Sequence, residues 1–483
     1  MKIFSQSQIK LWDSETIATQ NISEYILIER AAGACFQWIA ENNFLSNNFH
    51  IFCGKGNNGQ DGLKLAEILN NAKCSVKVYL FHDDQRRNAS EKIFNNAEVL
   101  NSINDFPHLN KNEIIIDAIF GTGLNKKVSG IYSEVIEKIN SLENIIISID
   151  IASGLFTDTK TESLCIKPTH TLTFQNYKLA FLRPENENAT GKIHILKIGL
   201  SDDFYKKEET IFEIPEFDQI KNLIKPRKQF SNKGMYGHAA LFCGSEGMIG
   251  AAVLSAKGCL ASGVGKLTCH LPKIGYQVLQ ISAPEAMCII NGKTRIKKID
   301  DISIYSAIGI GCGIGKNKNF DWLKQMLQTN VPLVLDADAL NLIAREQILI
   351  KQIPKNTIIT PHPGEFERLF GKGDQLEIAM KKATELGIYI LLKGKFTLIA
   401  TPEGKGYFNS TGNAGMARAG MGDVLTGIIT GLKAQGYSSK ESCILGAYIH
   451  GLAGDICANE LSVQAMQPTD LINNMNKAWK LLS

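Results

Sequence analysis

Apolar residues along this chain fall into two spacings, which alternate over most of its length. Short continuous apolar runs predict strands at residues 49–53, 76–81, 114–119, 145–151, 170–174 and 193–198, with helical spacing between them at residues 60–72, 88–100 and 131–142. Two more helices are predicted ahead of the first strand, at residues 6–20 and 23–41. Fully apolar strands that alternate with helices predict a parallel sheet covered on both faces.

The alternation stops at residues 200–235, which gain charge and two prolines, and then restarts. Such a composition is typical of an interdomain segment, and we place the boundary near Ile214–Pro215. Beyond it, strands are predicted at residues 239–244, 266–271, 307–312, 331–336, 357–360, 388–393 and 396–401, with a helix at 248–262. The 483-residue chain is therefore predicted to form two α/β domains, residues 1–214 and 215–483.

Composition narrows the class of protein. Hydrophobic residues make up 44% and charged residues 21%, as in soluble globular proteins, and the net charge of +4 gives no argument for nucleic-acid binding. No apolar run reaches the length of a membrane span, and the first fifteen residues lack the apolar core of a signal peptide. The eleven cysteines contain no CxxC pair, which favours reduced thiols. We expect a cytoplasmic protein with neither nucleic-acid nor membrane partners.

Polar residues and glycines follow three predicted strands of the first half. They are the string GKGNNGQDG at 54–62, Asp117 with a glycine turn at 121–123, and Asp150 with Ser153. Ligands of such sheets bind beyond the carboxyl ends of the strands. Each residue alone is an ordinary turn residue. Together the three strand ends offer oxygen ligands for a hard monovalent or divalent cation.

In the second half, the stretch 412–427, GNAGMARAGMGDVLTG, joins a glycine-rich loop to a predicted helix. Glycines let backbone amides approach an anion, and a helix N-terminus favours phosphate. Asp423 lies where it can take the proton of an attacking hydroxyl during phosphoryl transfer. An Asp at this position is also a preferred N-cap residue, and the local string does not separate the two roles.

Other strand ends of the second half carry glycine turns and polar residues, at 311–315, 336–341, 360–365 and 393–397. With the loop at 412–423 they should face one cleft. His362 stands between two prolines that stiffen its backbone, which suits a ring held against a ligand. A lone histidine is nevertheless more often a surface residue.

The first half, over about residues 1–213, resembles the NAD(P)H-hydrate epimerases, the YjeF N-terminal family. The strings ERAAGAC (29–35), GKGNNGQDG, DAIFGTGL (117–124) and DIASGL (150–155) carry the likeness. It implies a Rossmann-like three-layer α/β/α domain, with Asp150 as acid–base and a potassium ion held by Asn58, Asp117 and Ser153. The hydrated dinucleotide would lie along Asn57, Asn58, Gly59, Gln60, Asp61, Gly121, Thr122, Gly123, Leu124, Asn125, Lys126, Lys127, Tyr132 and Asp150. Gln60 and Ala152 depart from the usual Gly and Pro, and neither removes a ligand or the base.

The second half, over about residues 224–483, is similar to the ADP/ATP-dependent NAD(P)H-hydrate dehydratases, which have a ribokinase-like α/β fold. The strings KGMYGHAALFCGSEGMIGAA, DADALN, TPHPGE and NAGMARAGMGDVLTG occur in the family's order. The likeness implies that Asp423 is the catalytic carboxylate. The hydrate would contact Ala251, Gly313, His362 and Asp423, and the nucleotide would contact Lys393, Gly394, Lys395, Phe396, Thr397 and Gly422. Asn232 stands where His is common.

Together the resemblances imply a bifunctional enzyme that repairs NADHX and NADPHX, the hydrated forms of NADH and NADPH. The first domain would interconvert the R and S epimers with potassium. The second would phosphorylate the S form from ADP with magnesium and expel phosphate, leaving AMP. A homo-oligomer is expected. Two alternatives stay open: a ribokinase-fold kinase of a vitamin-precursor alcohol, and a first domain that only binds or scaffolds.

Overall fold

A computed structural model describes residues 1–81, 97–315 and 320–483 of the chain. These residues form two compact units, Met1–Thr210 and Ile211–Ser483. Each unit has a sheet of mainly parallel strands with helices packed on it, as the alternating pattern predicts. The division falls shortly before the predicted boundary at Ile214–Pro215, and the functional division into residues 1–214 and 215–483 stays a prediction.

The first unit is organised around a seven-stranded sheet in the order β4-β3-β2-β5-β6-β7-β8, with every neighbouring pair parallel. All residues of β2 and β5 are buried, because helices cover both faces. The unit's strands are β1 (Lys2–Ile3), β2 (Phe49–Cys53), β3 (Val76–Phe81), β4 (Glu98–Leu100), β5 (Ile114–Ala118), β6 (Ile145–Ile149), β7 (His170–Phe174) and β8 (Lys192–Leu196). Its helices are α1 (Gln6–Gln20), α2 (Glu24–Glu41), α3 (Asn57–Asn71), α4 (Ile131–Asn140) and α5 (Asp202–Lys207).

The predicted elements of this unit are confirmed except one. The helix predicted at 88–100 lies mostly outside the described residues, and its last part is wrong, because Glu98–Leu100 is strand β4. Val99 and Leu100 pair in parallel register with Leu80 and Phe81 of β3. A three-residue edge strand is too short to show a period of two, so its apolar residues were compatible with helical spacing.

The second unit contains a longer sheet in the order β9-β18-β17-β16-β15-β14-β13-β10-β11-β12. Its strands are β9 (Phe212–Glu213), β10 (His238–Phe242), β11 (Lys266–Leu271), β12 (Met287–Ile290), β13 (Ala307–Ile310), β14 (Leu333–Leu335), β15 (Ile358–Ile359), β16 (Tyr389–Leu392), β17 (Leu398–Ala400) and β18 (Gly406–Phe408). Its helices are α6 (Phe217–Leu223), α7 (Ile249–Ala261), α8 (Tyr276–Ser282), α9 (Asp321–Met326), α10 (Ala337–Arg345), α11 (Pro363–Phe370), α12 (Gln375–Leu386), α13 (Met421–Ala434), α14 (Ser439–Glu460) and α15 (Pro468–Leu482).

Every strand predicted for the second half is present. The strands β10 to β16 are parallel to one another, and β17 runs antiparallel to the two strands beside it, β16 and β18. The strands that the pattern did not predict, β9, β12 and β18, have two to four residues each and lie towards the two ends of the sheet order. The sequence pattern therefore identifies the buried centre of the sheet and misses its margins.

Helix α13 is the buried helix that the glycine-rich loop leads into, and it packs tightly against α7. A Cβ added to Gly427 would lie 2.0 Å from the Ser255 carbonyl oxygen, and one added to Gly258 would lie 2.5 Å from that of Val424. The two backbones thus approach more closely than any side chain would allow. This contact fixes the position of the helix N-terminus at Met421.

We expect Gly427→Ala to lower the free energy of unfolding of the second unit by about 1–3 kcal/mol, because the added methyl group overpacks the helix contact. Gly250→Ala is the matched control, because a Cβ there meets nothing within 4 Å. It should leave stability unchanged or raise it by up to about 1 kcal/mol through helix propensity. Urea unfolding followed by circular dichroism measures both variants, and equal stabilities would contradict the close contact.

Candidate active sites

A cavity of about 600 Å³ in the first unit collects the polar residues that follow β2, β5 and β6. The predicted dinucleotide-contacting residues that line it are Asn57, Asn58, Asp61, Gly121, Thr122, Gly123, Leu124, Asn125, Lys126 and Asp150. The arrangement matches the expectation that parallel strands present ligand-binding residues at their carboxyl ends. The predicted residues Gly59, Gln60, Lys127 and Tyr132 are not part of the cavity wall.

Three of these residues have other surroundings. Gly59 packs on the backbone of Gly54, where a Cβ would lie 1.8 Å from the carbonyl oxygen. The Tyr132 ring lies between Phe81 and Phe120, at centroid distances of 4.4 and 4.9 Å. Lys127 pairs with Glu162 at 3.7 Å on the surface.

Asp150 is held in a strained backbone conformation at the cavity wall. Its φ is +63°, in the left-handed region that non-glycine residues seldom adopt. One carboxylate oxygen, Oδ1, accepts hydrogen bonds from Lys178 Nζ at 2.6 Å and from the Phe174 amide at 3.1 Å. The Lys178 side chain is only 3% exposed, so this is a buried ion pair.

Three further carboxyl groups, of Asp13, Glu24 and Asp61, line the same cavity. Burial, and then the negative charge of Asp150, raise the pKa of Asp13 to about 7. The same two causes raise the pKa of Asp61 well above its ordinary value. Asp13 and Asp61 are therefore both weaker acids here than an ordinary aspartate, with a higher pKa. Lys178 and Asp13 were not predicted, because neither stands in a motif and each reaches the cavity from a distant part of the chain.

The residues predicted to hold a cation, Asn58, Asp117 and Ser153, lie close to the backbone segment 119–121. Both polar atoms of the Asn58 side chain are buried and have no hydrogen-bond partner within the described part of the chain. Asp117 is fully buried and accepts hydrogen bonds from Ser153 Oγ at 2.5 Å and from Ser148 Oγ at 2.7 Å. The Ser153 hydroxyl in turn accepts from the Phe120 amide at 2.8 Å. The unpartnered buried carboxamide of Asn58 leaves an oxygen available to a hard cation.

In the second unit the N-terminus of α13 is the centre of the candidate site. Gly420, with φ +94°, precedes the first turn, which contains Gly422 and Asp423. Asp336, which follows β14, is buried and pairs with Lys393 Nζ at 2.8 Å. Its second oxygen accepts from the hydroxyl of Thr426 at 2.7 Å. The loop glycines, the carboxylates and the lysine therefore meet in one place.

These surroundings raise the pKa of the Asp423 carboxyl group above its ordinary value. Burial raises its pKa to about 6, the charges of Asp336 and Asp338 act in the same direction, and a hydrogen bond with Cys312 and the charge of Lys393 oppose them. Asp423 is therefore mostly ionised at neutral pH and can accept a proton. Such a pKa is the one expected for a general base that operates near pH 7.

The remaining predicted residues lie in the loops that follow β13, β15 and β16 and in the first turn of α7. Gly313 packs against Ala251, and a Cβ on the glycine would be 3.0 Å from the alanine Cβ. His362 is the N-cap of α11, and its Nδ1 accepts from the Gly364 amide at 3.0 Å. In the loop Lys393, Gly394, Lys395, Phe396 and Thr397, the threonine hydroxyl donates to the Gly394 carbonyl at 3.1 Å.

No helix among the described residues has the length and apolar character needed to cross a membrane. Within residues 1–81, 97–315 and 320–483, no three His, Cys, Asp or Glu side chains are grouped as metal ligands.

Comparisons with known proteins also divide the chain into two parts, which correspond to the two units of the structure. The family model described as YjeF-related protein N-terminus matches residues 24–180, and that described as NAD(P)H-hydrate dehydratase matches residues 239–477. A bifunctional NAD(P)H-hydrate repair enzyme from Moorella thermoacetica is 34% identical over 454 residues, which cover 88% of this chain and 86% of that relative.

Two solved structures resemble the second half. One is an ADP/ATP-dependent NAD(P)H-hydrate dehydratase from Bacillus subtilis co-crystallised with ATP and Mg²⁺, with 30% identity, a TM-score of 0.50, and coverage of 56% of this chain and 98% of that one. The other is a ribokinase-like superfamily protein from Enterococcus faecalis, with 26% identity, a TM-score of 0.51, and coverage of 57% and 98%.

The protein is therefore a two-unit α/β protein with a YjeF-type first unit and a ribokinase-like second unit. The second unit carries a glycine-rich helix N-terminus of the kind that favours phosphate. The predicted fold class is confirmed. The chain belongs to the family of bifunctional NAD(P)H-hydrate repair enzymes.

We expect Lys178→Met to destabilise the first unit by about 3–5 kcal/mol, because it leaves the Asp150 carboxylate buried without its counter-ion. The double variant Asp150→Asn with Lys178→Met should recover part of that loss. Lys111→Met is the control, because Lys111 pairs with Glu143 at 2.6 Å but the side chains are 79% and 75% exposed. Its effect on urea unfolding should be close to zero. Additive single and double variants would contradict the ion pair.

Proposed function

We propose that the two reactions of this NAD(P)H-hydrate repair enzyme take place at the two sites described above. The first unit exchanges the R and S epimers of NADHX and NADPHX. The second dehydrates the S epimer to NADH or NADPH while ADP is converted to AMP and phosphate. One observation carries the second assignment: an ionised Asp423 in the first turn of a helix whose glycine-rich N-terminus favours phosphate.

In the first unit, epimer exchange requires the hydroxyl to leave the hydrated carbon and water to return on the other face. Both steps move a proton, so the site needs an acid and a base. Asp150 is the proposed acid–base, held at the cavity wall by Lys178. The cavity is large enough to take the hydrated ring, and its wall residues at 57–58, 61 and 121–126 are proposed to contact the rest of the dinucleotide.

A potassium ion is proposed for the same unit, held by Asn58, Asp117 and Ser153. The support is the buried Asn58 carboxamide, whose oxygen and nitrogen find no partner in residues 1–81, 97–315 and 320–483. When bound, the ion would supply a fixed positive charge that stabilises an anionic group of the dinucleotide beside the cavity.

In the second unit, Asp423 removes the proton of the ring hydroxyl as its oxygen attacks the β-phosphorus of ADP. The bond from that phosphorus to the AMP oxygen breaks, which leaves a phosphate ester on the hydrate. Phosphate is a better leaving group than hydroxide. It departs with the electron pair of the carbon–oxygen bond, and loss of a proton from the adjacent carbon restores the double bond. The backbone amides at Gly420–Gly422 are proposed to hold the transferring group.

The hydrate is proposed to contact Ala251, Gly313 and His362, and the nucleotide to contact Lys393–Thr397 and Gly422. Magnesium, proposed for this step, would travel on the phosphates of the nucleotide and offset their charge. We also propose a cytoplasmic location, supported by eleven cysteines that are all free thiols. Homo-oligomer formation is proposed as well, supported by exposed apolar side chains such as Val278 and Ile281 on α8 and Met287 on β12.

The test of this function is stoichiometric. Each dihydronicotinamide restored from the S hydrate should release one AMP and one phosphate from ADP, followed by absorbance and chromatography. Asp423→Asn should slow this repair by about 10²–10⁴-fold, since the general base is lost, while epimer exchange continues. Repair without nucleotide turnover would refute the mechanism. A vitamin-precursor kinase would instead leave a stable phosphorylated product.

Asp150→Asn should have the opposite effect. ADP-dependent repair of the S epimer should continue, and the R epimer should disappear only at the rate of uncatalysed exchange. Replacing potassium by lithium in the wild type should slow the same exchange, because a smaller ion fits fixed oxygen ligands differently. Epimer-resolved chromatography measures both effects. Unchanged exchange in the Asn variant would remove Asp150 from the mechanism, and unchanged exchange in lithium would count against the cation site.

A further inference from the structure

The buried ion pair between Asp336 and Lys393 lies directly over the first turn of α13. A Cβ added to Gly422 would be 3.3 Å from Lys393 Nζ and 3.8 Å from Asp336 Oδ2. The ammonium therefore stands beside the glycine amides where the transferring phosphoryl group is proposed to bind. This position suggests a narrower role for Lys393 than contact with some part of the nucleotide.

Both oxygens of Asp336 are occupied by single, well-placed donors. Lys393 Nζ donates to Oδ1 at 2.8 Å, and Thr426 Oγ1, on α13 itself, donates to Oδ2 at 2.7 Å. Asp336 is 1% exposed, whereas the Lys393 side chain is 22% exposed. The buried carboxylate is thus a fixed anchor, and the lysine bonded to it is the more exposed member of the pair.

The pairing also decides which carboxylate the lysine neutralises. Lys393 and Asp423 interact electrostatically, yet the ammonium bonds to Asp336, and Asp423 has no counter-ion in contact among the residues that the structure describes. An ammonium bonded directly to Asp423 would make that carboxylate a poorer base. The anchor therefore keeps two functions apart within one helical turn, a positive charge for the phosphoryl group and a free carboxylate for the hydroxyl proton.

We propose that Lys393 is a catalytic residue that stabilises the transferring phosphoryl group, and that Asp336 and Thr426 are positioning residues that hold its ammonium there. The inference rests on the proposed ADP-dependent dehydration. It gives Lys393 a role in the transition state, where negative charge spreads over the phosphoryl oxygens, beyond holding the nucleotide.

The charged and titratable groups around Asp423 shift its pKa, so the pH dependence of the reaction rate can test the proposed role of Lys393. Asp336 and Asp338 raise its pKa, and Lys393 and the Cys312 thiol lower it. Glu365 on α11 and His450 on α14 interact with Lys393, and burial lowers the pKa of His450 to about 4, so this histidine is neutral at pH 7. The two members of the ion pair therefore shift the base in opposite directions.

The experiment measures kcat and KM for ADP-dependent repair of the S hydrate against pH, in the wild type and three variants. In the wild type the rate should fall as the pH drops below about 6, where Asp423 takes up its proton. Lys393→Met should lower kcat by about 10²-fold, the loss typical of one transition-state donor, and move this acid limb to higher pH. Asp336→Asn should lower kcat and move the limb to lower pH.

Thr426→Val is the matched control, because it frees one oxygen of Asp336 without changing any charge. It should lower kcat and leave the acid limb in place. Lys393→Arg should restore the position of the limb and part of kcat. Should Asp336→Asn fail to fold, as judged by circular dichroism, the two Lys393 variants decide the question.

An active wild type in which Lys393→Met raises only the KM for ADP, with the limb unmoved, would overturn this inference and leave the proposed function intact. A wild type without ADP-dependent repair would overturn both. The expected result is a fall in kcat in Lys393→Met that exceeds any rise in the KM for ADP, because an ion pair that only supports the fold or holds the nucleotide would not lower kcat selectively. The opposite shifts of the limb in Lys393→Met and Asp336→Asn report the two charges beside Asp423.

Discussion

The close contact between α7 and α13 is the constraint on which the second unit depends. With no side chains at Gly258 and Gly427, the two helices lie backbone against backbone. Because α13 cannot shift along this contact, its first turn has a fixed height above the sheet. The amides at Gly420–Gly422, the Asp423 carboxylate and the hydroxyl of Thr426 all take their positions from that one helix. Pre-organisation of the site is thus a property of the core.

The two units use the same components in different ways. Each has a carboxylate that follows a parallel strand and a buried or half-buried lysine that pairs with it. In the first unit Lys178 pairs with Asp150, the proposed acid–base itself. In the second, Lys393 pairs with Asp336 and stands beside the proposed base. Proton exchange at a hydrated carbon and transfer of a highly charged phosphoryl group place different demands on a nearby ammonium, and the two pairings match those demands.

The sequence predicted what local patterns encode. Apolar periodicity located the central strands, and the glycine-rich string located Asp423 at a helix N-terminus. The local sequence patterns did not reveal Lys178 or Asp13, because their roles depend on contacts between residues far apart in the chain. Asp336 was recognised as a strand-end residue, but its pairing with Lys393 was not. The short strand at Glu98–Leu100 was predicted as helix, since three residues cannot display a period.

The left-handed backbone of Asp150 has a consequence for which residues this position can accept. A φ of +63° is readily adopted only by glycine, asparagine and aspartate. Glycine offers no acceptor to the buried ammonium of Lys178, and asparagine offers an acceptor without a charge. Aspartate alone satisfies the backbone, the buried cation and the proton chemistry together. Three unrelated physical requirements therefore select the same side chain. Any substitution at this position fails at least one of them.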